Sequence, residues 1–389
     1  MTRKLYYEDA YLFSFSATIN SIVIIEGKSA VILDSTAFFP EGGGQPGDTG
    51  IIGSVPVTDT KIFNGDILHF IVDASQLTEG DRVECSVDKE KRFARMQAHT
   101  GEHIVSGIAH RLFGAENVGF HMDENAVMTV DFDRFVSKED LAEVEKQANI
   151  CVYNNVPVKA WFPSPDELKT MEYRSKIDDF DDMRIVEIEG YDACACCAPH
   201  LRSSGEAGLI KILTSAKHRG GVRLTLVCGI TAYEDYVIKY GNTMKIADLL
   251  CAKHNETFFA VEKLVEKERE LKYRLAEKTN ALIEYVYNSV VFCEGNLVIC
   301  LDALDVEELK QAALKLKGRC KGICIVVSGD DRKGYYFAAA SDSVKIIDFT
   351  KNITTSLKGS GGGRDDVIQG RLGSSFYEIK EFFNDLTVK

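Results

Sequence analysis

Gln97-Ala98-His99-Thr100-Gly101-Glu102-His103 is the stretch on which the reading of the chain turns. Histidines four positions apart on a helix project from the same face, one turn above the other, and two imidazoles so placed can share a metal ion. The pair needs further ligands from elsewhere. Cys194-Ala195-Cys196-Cys197-Ala198-Pro199-His200, far downstream, offers them. Cys196 and His200 complete a nitrogen and sulfur set suited to zinc, and Pro199 makes the segment a turn rather than a helix. Each half alone has an ordinary alternative, surface or core histidines for one and buried free thiols for the other. With only 8 His and 11 Cys in the chain, their joint occurrence favours the metal.

Working outward, Phe93, Met96, Ile104, Ile108 and Leu112 recur at helical intervals and predict a helix over residues 92–113, ending near Gly114. Strands are expected at 117–122 and 126–132. A helix from 138 to about 155 starts on Ser137 as its N-cap, with Glu139 and Asp140 in its first turn. A strand at 184–188 leads into the cysteine turn, and strands at 208–213 and 222–228 follow. Residues 91–239 thus form an α+β domain carrying both halves of the zinc site. Residues 1–90 read as a small β-barrel or sandwich, with short Val-, Ile- and Phe-rich runs at 13–25, 30–34, 51–55, 67–72 and 82–87. Between two of them lies Pro40-Glu41-Gly42-Gly43-Gly44-Gln45-Pro46, which cannot hold a helix. It is either a tight surface loop or a place where backbone approaches a ligand closely.

Residues 240–288 differ in kind. Val261, Leu264, Leu271, Leu275 and Leu282 occupy a and d positions of a heptad that Glu268 and Lys278 interrupt. The pattern predicts a helical or coiled-coil arm, pairing with itself, with a second copy, or with its own domain. Residues 289–389 alternate strands at 297–301, 322–327 and 335–340 with helices at 306–316 and from 375 to about 386, a separate small α/β domain. Its glycine loop, Lys358-Gly359-Ser360-Gly361-Gly362-Gly363-Arg364-Asp365-Asp366, lacks the Gly-Lys-Ser/Thr ending of a P-loop. A backbone nest for a phosphate or an RNA end beside Arg364 is one reading and a plain turn the other.

The 389 residues exceed what one core usually organises, and 45% apolar with 27% charged residues is ordinary for a soluble globular protein. The N-terminus lacks an apolar signal core, and no later run approaches a membrane span. Eleven scattered cysteines suit a reducing cytoplasm. A net charge of −13 argues against indiscriminate nucleic-acid binding but leaves room for local basic faces. Lys211, Lys217, His218, Arg219 and Arg223 crowd one interval, and Arg364 and Arg371 flank the C-terminal glycines.

Three motifs in fixed order, Asp34-x-Thr36-x-Phe38-x-Pro40-Glu41-Gly42-Gly43-Gly44-Gln45, His99-x3-His103 and Cys196-x3-His200, resemble the editing module of alanyl-tRNA synthetases and its free-standing AlaX relatives. Gly361-Gly362-Gly363-Arg364 is similar to the glycine motif of the DHHA1-type domain that closes those synthetases. The resemblance implies a zinc-dependent hydrolase that deacylates Ser-tRNA(Ala), Gly-tRNA(Ala) or both, with the tRNA(Ala) acceptor end as partner and a homodimer formed through the arm and C-terminal domain. It makes His99, His103, Cys196 and His200 the zinc ligands and gives Thr36 a part in telling serine from alanine. Gln45, Gly43 and Gly44 would contact the aminoacyl or ribose end, and Arg223, Gly362, Gly363 and Arg364 the RNA. The family's Cys-Gly-Gly-Thr-His reads Cys196-Cys197-Ala198-Pro199-His200 here, which keeps the ligand spacing but adds Cys194 and Cys197 as competing thiols.

Glu102 is the nearest candidate for a general base, although its position is offset from the face of the two histidines. Two rivals stand beside this reading. His99-Thr100-Gly101-Glu102-His103 matches the His-x-x-Glu-His of inverzincin metallopeptidases, which predicts a distant glutamate as third ligand. Alternatively the zinc is structural and the protein a tRNA-binding or oligomerisation module.

Overall fold

The structure, a computed structural model, describes residues 2–175 and 183–387. It is mixed α and β, and the chain divides into two units, Met1–Lys245 and Ile246–Lys389. The expected four-part division is finer than this.

In the first unit, a short strand β1 (Arg3–Lys4) and one-turn helix α1 (Leu5–Glu8) precede β2 (Ser14–Ile25), β3 (Lys28–Leu33), β4 (Ser35–Thr36), β5 (Gly50–Ile52), β6 (Val55–Phe63), β7 (Asp66–Ile71) and β8 (Arg82–Val87). Six of these strands hydrogen-bond in the closed order β2-β3-β7-β6-β5-β8, forming a barrel, while β4 pairs in parallel with β1. Alternation places Phe15, Ala17 and Ile19 of β2 inside, against Val31, Leu33, Ile52, Val57, Cys85 and Val87. The run expected as one strand at 51–55 is two, because Gly53 adopts φ 61° and turns the chain between β5 and β6.

Helix α2 (Lys89–Phe113) starts three residues earlier than its apolar pattern suggested, since the Asp88 carboxylate accepts from Lys91 N and caps it. It ends on Gly114 at φ 62°, whose N–H bonds back to His110 O at 2.7 Å. Residues 95–109 are buried without interruption, so α2 is a core helix enclosed on all sides. Around it lie β9 (Asn117–Met122), β10 (Met128–Phe132), α3 (Lys138–Asn154), β11 (Val158–Trp161), the short α4 (Pro165–Leu168), β12 (Ile185–Ile188), β13 (Asp192–Ala195), β14 (Ile210–His218), β15 (Gly221–Cys228) and α5 (Gly229–Leu250). The strands make a sheet in the order β14-β15-β10-β9 and a smaller one in the order β11-β12-β13. Ala126, expected in a strand, sits instead in a turn at φ 58°. The cysteine segment is a strand as far as Ala195 and turns only from Cys196.

Two glycines let α2 lie flush on its neighbours. A Cβ at Gly101 would overlap Cys228 Sγ of β15, and one at Gly107 would stand 2.5 Å from Tyr191 O and 2.7 Å from Asp192 Cβ. Glycine within a helix costs about 1 kcal/mol relative to alanine, and close approach is what it gains here.

The interval expected as a helical arm, 240–288, holds the end of α5 and a further helix. In the second unit α6 (Thr257–Ser289) follows a break at Cys251, which takes φ 51°, so the heptad lies on α6 alone. Val261, Leu264, Leu271, Leu275 and Leu282 are all exposed, and only the last turns of α6 pack, through Ile283, onto the unit's core. Then come β16 (Leu297–Cys300), α7 (Val306–Leu316), β17 (Cys324–Asp330), β18 (Gly334–Ala340), α8 (Thr350–Ser356), β19 (Ser360–Gly363), β20 (Val367–Leu372) and α9 (Phe376–Asp385), with sheet order β16-β17-β18-β20-β19. The glycine loop expected at Gly361-Gly362-Gly363-Arg364 is therefore an edge strand, paired Gly361 to Gly370 and Gly363 to Ile368. None of these glycines takes the positive φ that a phosphate nest requires; the cross-strand ladder has overridden a composition that reads as a turn. Among the described residues no helix is long and apolar enough to cross a membrane.

Candidate metal centre

Helix α2 carries His99 and His103 one turn apart, and the turn after β13 brings Cys196 and His200 against them. One ligand atom from each of the four lies within 4.8 Å of the other three. Cys196 Sγ is 3.5 Å from His99 Nε2 and 3.3 Å from His200 Nε2. A tetrahedral zinc with ordinary bond lengths has nitrogen-to-sulfur edges of about 3.5 Å, so these side chains fit the ion that their chemistry suggests.

The outer nitrogen of each ring is held by a different partner. His99 Nδ1 donates to Gln45 Oε1 at 2.8 Å, His103 Nδ1 to Asp192 Oδ2 at 3.0 Å, and His200 Nδ1 to Thr100 Oγ1 at 3.1 Å. Protons assigned to all three Nδ1 atoms leave the Nε2 lone pairs turned inward, the tautomer a metal needs. Asp192 is itself gripped by Arg174, whose Nε and Nη2 donate to its two oxygens at 2.7 and 2.8 Å.

Burial and charge prepare the ligands. Burial alone would raise the Cys196 thiol, but the neighbouring His99 and His200 imidazoles, with bonds from His103 and His200, hold it well below the usual thiol range. Burial pushes His200 down to about 3, so it is neutral at pH 7. His103 goes the other way: burial lowers it, and the bond to Asp192 followed by Cys196 outweighs this and raises it well above an ordinary imidazole. Binding a metal there must release a proton.

The glycine segment is a tight turn that aims Gln45. Gly42 and Gln45 exchange two backbone bonds of 3.1 Å, with Gly43 at φ 59° and Gly44 at φ 81° between them. Gly44 O accepts from Met122 N at 2.8 Å, and a Cβ on Gly44 would overlap Phe120 O. Gln45 is fully buried; with its Oε1 spent on His99, its Nε2 is a buried donor without a partner among the described residues. The base of the turn is fixed to α2 by Asp48, which pairs with the buried Arg92, and by Arg95, which donates to Gly47 O at 2.7 Å.

Thr36 lies in the barrel interior. Its hydroxyl accepts from Phe38 N at 3.1 Å and donates to His69 Nε2 at 2.8 Å, while His69 Nδ1 donates to Val31 O. Glu102 is buried beside the cluster: Ser106 Oγ and Asn117 Nδ2 both donate to its Oε1, and its Oε2 is 4.0 Å from His103 Nε2. Arg223, on β15, is half exposed and paired with Asp131 at 2.6 and 2.7 Å. Gly362, Gly363 and Arg364 belong to the second unit. The third and fourth members of the histidine cluster are thus a cysteine and a histidine rather than the distant glutamate of an inverzincin.

Asp192, Arg174, Thr100, Asp48 and His69 had no place in the motif reading. Asp192 was findable, because ligating histidines almost always need an outer acceptor and a carboxylate stands four residues before Cys196.

Two stretches match known families. Residues 5–91 match the family described as tRNA synthetases class II (A), and residues 183–225 match the threonyl and alanyl tRNA synthetase second additional domain. The first match spans the barrel and the second the Cys196 and His200 turn. The chain is 26% identical over 397 residues to the alanyl-tRNA editing protein AlaX-L of Pyrococcus horikoshii, spanning 97% of this chain and 96% of that protein. It is also 30% identical over 400 residues to the alanine–tRNA ligase of Pyrococcus abyssi and 31% identical over 399 residues to that of Thermofilum pendens, in each case spanning 95% of this chain but only 42% of the ligase. A solved C-Ala domain from Aquifex aeolicus alanyl-tRNA synthetase aligns with 22% of this chain and 85% of its own at 24% identity, with a TM-score of 0.20 that carries no argument about the fold.

Proposed function

We propose that this chain is a zinc-dependent trans-editing hydrolase that frees tRNA(Ala) from a wrongly attached serine or glycine. The observation that carries the reading is the set of three imidazoles whose outer nitrogens are each locked and whose inner nitrogens converge on one thiol. The similarity to AlaX-L along nearly both full lengths supports the editing chemistry. His99, His103, Cys196 and His200 would hold a zinc ion, and with one of them, such as His200, giving way to the substrate, the ion would supply Lewis-acid polarisation of the ester carbonyl.

The chain's own groups do the rest. Glu102, with Oε1 fixed by Ser106 and Asn117, keeps Oε2 to accept the proton of the attacking water. The bond between carbonyl carbon and ribose oxygen breaks, and that oxygen takes the proton back. Gln45 Nε2, a donor with no partner among the described residues, binds the aminoacyl or ribose end, with the Gly43 and Gly44 backbone beside it. Thr36 acts in discrimination through the strand that leads into this turn, its hydroxyl being engaged by His69. Arg223, and Gly362, Gly363 and Arg364 in the second unit, contact the RNA body, and the exposed apolar seam of α6 receives a second copy.

One feature favours a structural metal instead: three of the four side chains are buried, as in closed sites. Incubation with Ser-tRNA(Ala), Gly-tRNA(Ala) and Ala-tRNA(Ala), with and without chelator, tests the proposal. Selective, chelator-sensitive release of serine or glycine is expected; intact esters alongside a protein that unfolds when zinc is removed would establish the structural role.

A further inference from the structure

Beside the metal turn stand aromatic rings that neither the motifs nor the proposed chemistry uses. Cys197 is exposed beside the half-buried Cys196, so the metal turn meets solvent there. Helix α1 sets two tyrosines against that turn. Tyr6 is buried edge-on to Phe39 at 5.5 Å, and Tyr7, at 4.6 Å from Tyr6, packs on the small core of Tyr6, Phe39, Ile67 and Ala198 that Cys196 also touches. Outside Tyr7, edge-on at 5.4 Å, stands Phe162, which is 48% exposed.

An exposed phenylalanine by itself is unremarkable on a protein surface. What distinguishes this one is the ring behind it, Tyr7, which carries two cations. Arg184 is almost wholly buried, with its guanidinium carbon 5.4 Å from the Tyr7 ring centre. Its Nη1 donates to Cys196 O at 3.1 Å and Ala198 O at 2.8 Å, which ties the rings to the metal turn. Lys4 Nζ lies 5.6 Å from the same ring on the solvent side, and among the described residues no carboxylate pairs with it. In a chain of net charge −13, an exposed ring packed on a tyrosine that carries two cations, beside a metal turn, is a local exception.

We infer that Phe162, backed by Tyr7 with Lys4 and Arg184 against that tyrosine, seats the terminal adenosine of the acylated RNA. The inference rests on the editing reading and deepens it. An ester on the terminal ribose cannot reach the cluster unless its own base lies just outside it. Unpaired bases are held by stacking on aromatic faces, and phosphates by lysine and arginine. Phe162 offers the open face, Tyr7 fixes its orientation, and Lys4 is free to meet the phosphate.

The test uses the full-length protein and uncharged tRNA(Ala), either complete or lacking its terminal adenosine. Wild type binds the complete RNA about tenfold more tightly, in line with the loss usually seen on removing a stacking partner. Phe162→Ala erases that preference, Phe162→Tyr keeps it, and in hydrolysis of Ser-tRNA(Ala) the Phe162→Ala loss falls on KM. A Phe162→Ala protein that still prefers the complete RNA tenfold, or a wild type with no preference, overturns the seat. Failure of the wild type to release serine from Ser-tRNA(Ala) overturns the editing reading instead, and the binding comparison is read independently of it.

Discussion

Replacing Asp192 with asparagine isolates what the outer carboxylate does for the metal. Asp192 Oδ2 accepts His103 Nδ1–H at 3.0 Å, and both of its oxygens are bound by Arg174. Burial alone would raise this carboxyl, yet His103 and Arg174 hold it below the usual range, so it is charged at pH 7. Asparagine keeps the shape and one acceptor but removes the charge, and its NH2 must face either an N–H of Arg174 or that of His103. His103 then becomes a poorer donor of electrons to the ion and a less firmly oriented one. Losing such an outer partner typically weakens metal binding 10- to 100-fold, or about 1.4–2.7 kcal/mol. The measurement is a zinc titration of metal-free protein against a chromophoric chelator at pH 7. An Asp192→Asn protein that remains folded and binds zinc within threefold of wild type would refute the claim that this carboxylate tunes the site.

Three further outcomes follow from the same geometry. Gly44→Ala forces a side chain onto a φ of 81° and against Phe120 O, so a loss of about 2 kcal/mol or more in denaturant unfolding is expected, with hydrolysis falling as Gln45 is displaced. His69 is fully buried, and burial lowers it to about 4 from an unfolded value of 6.5. As pH falls from 7 the unfolded chain takes up a proton that the folded chain refuses, so stability drops between about pH 6.5 and 4 by roughly 3 kcal/mol, a slope that His69→Gln should flatten in urea midpoints measured against pH. His99→Ala removes one ligand and frees Gln45 Oε1, so zinc per chain and tRNA deacylation are both expected to fall while circular dichroism keeps its helical signal; loss of that signal would favour the structural metal.

The ligand set was legible because each half obeys a local rule. His99 and His103 share a helix face by period, and Cys196 and His200 straddle a proline that stops any helix. The groups that orient them obey no such rule. Asp192, Arg174 and Gln45 come from different elements and meet the histidines only through tertiary packing. Composition misled at the C-terminal glycines: three in a row signal a turn, but β20 supplies a ladder that extends them into strand β19. It misled again at residues 51–55, where Gly53 inside a β-branched run is the hairpin corner rather than a strand residue. The heptad was visible, whereas the break at Cys251, a left-handed residue that is not glycine, left no trace in the pattern.

Gly101 and Gly107 give the site an unusual kind of rigidity. Gly107 lets α2 lie directly against Tyr191 O and Asp192, at the head of the strand that leads into the cysteine turn, while Gly101 lets it lie against Cys228 of β15. Metal coordination tolerates only about 0.2 Å of error in each bond. One added methyl at Gly107 would therefore work as a shim between the two halves of the cage, without altering a single ligand. Selection on metal grip would then register at positions that never meet the ion.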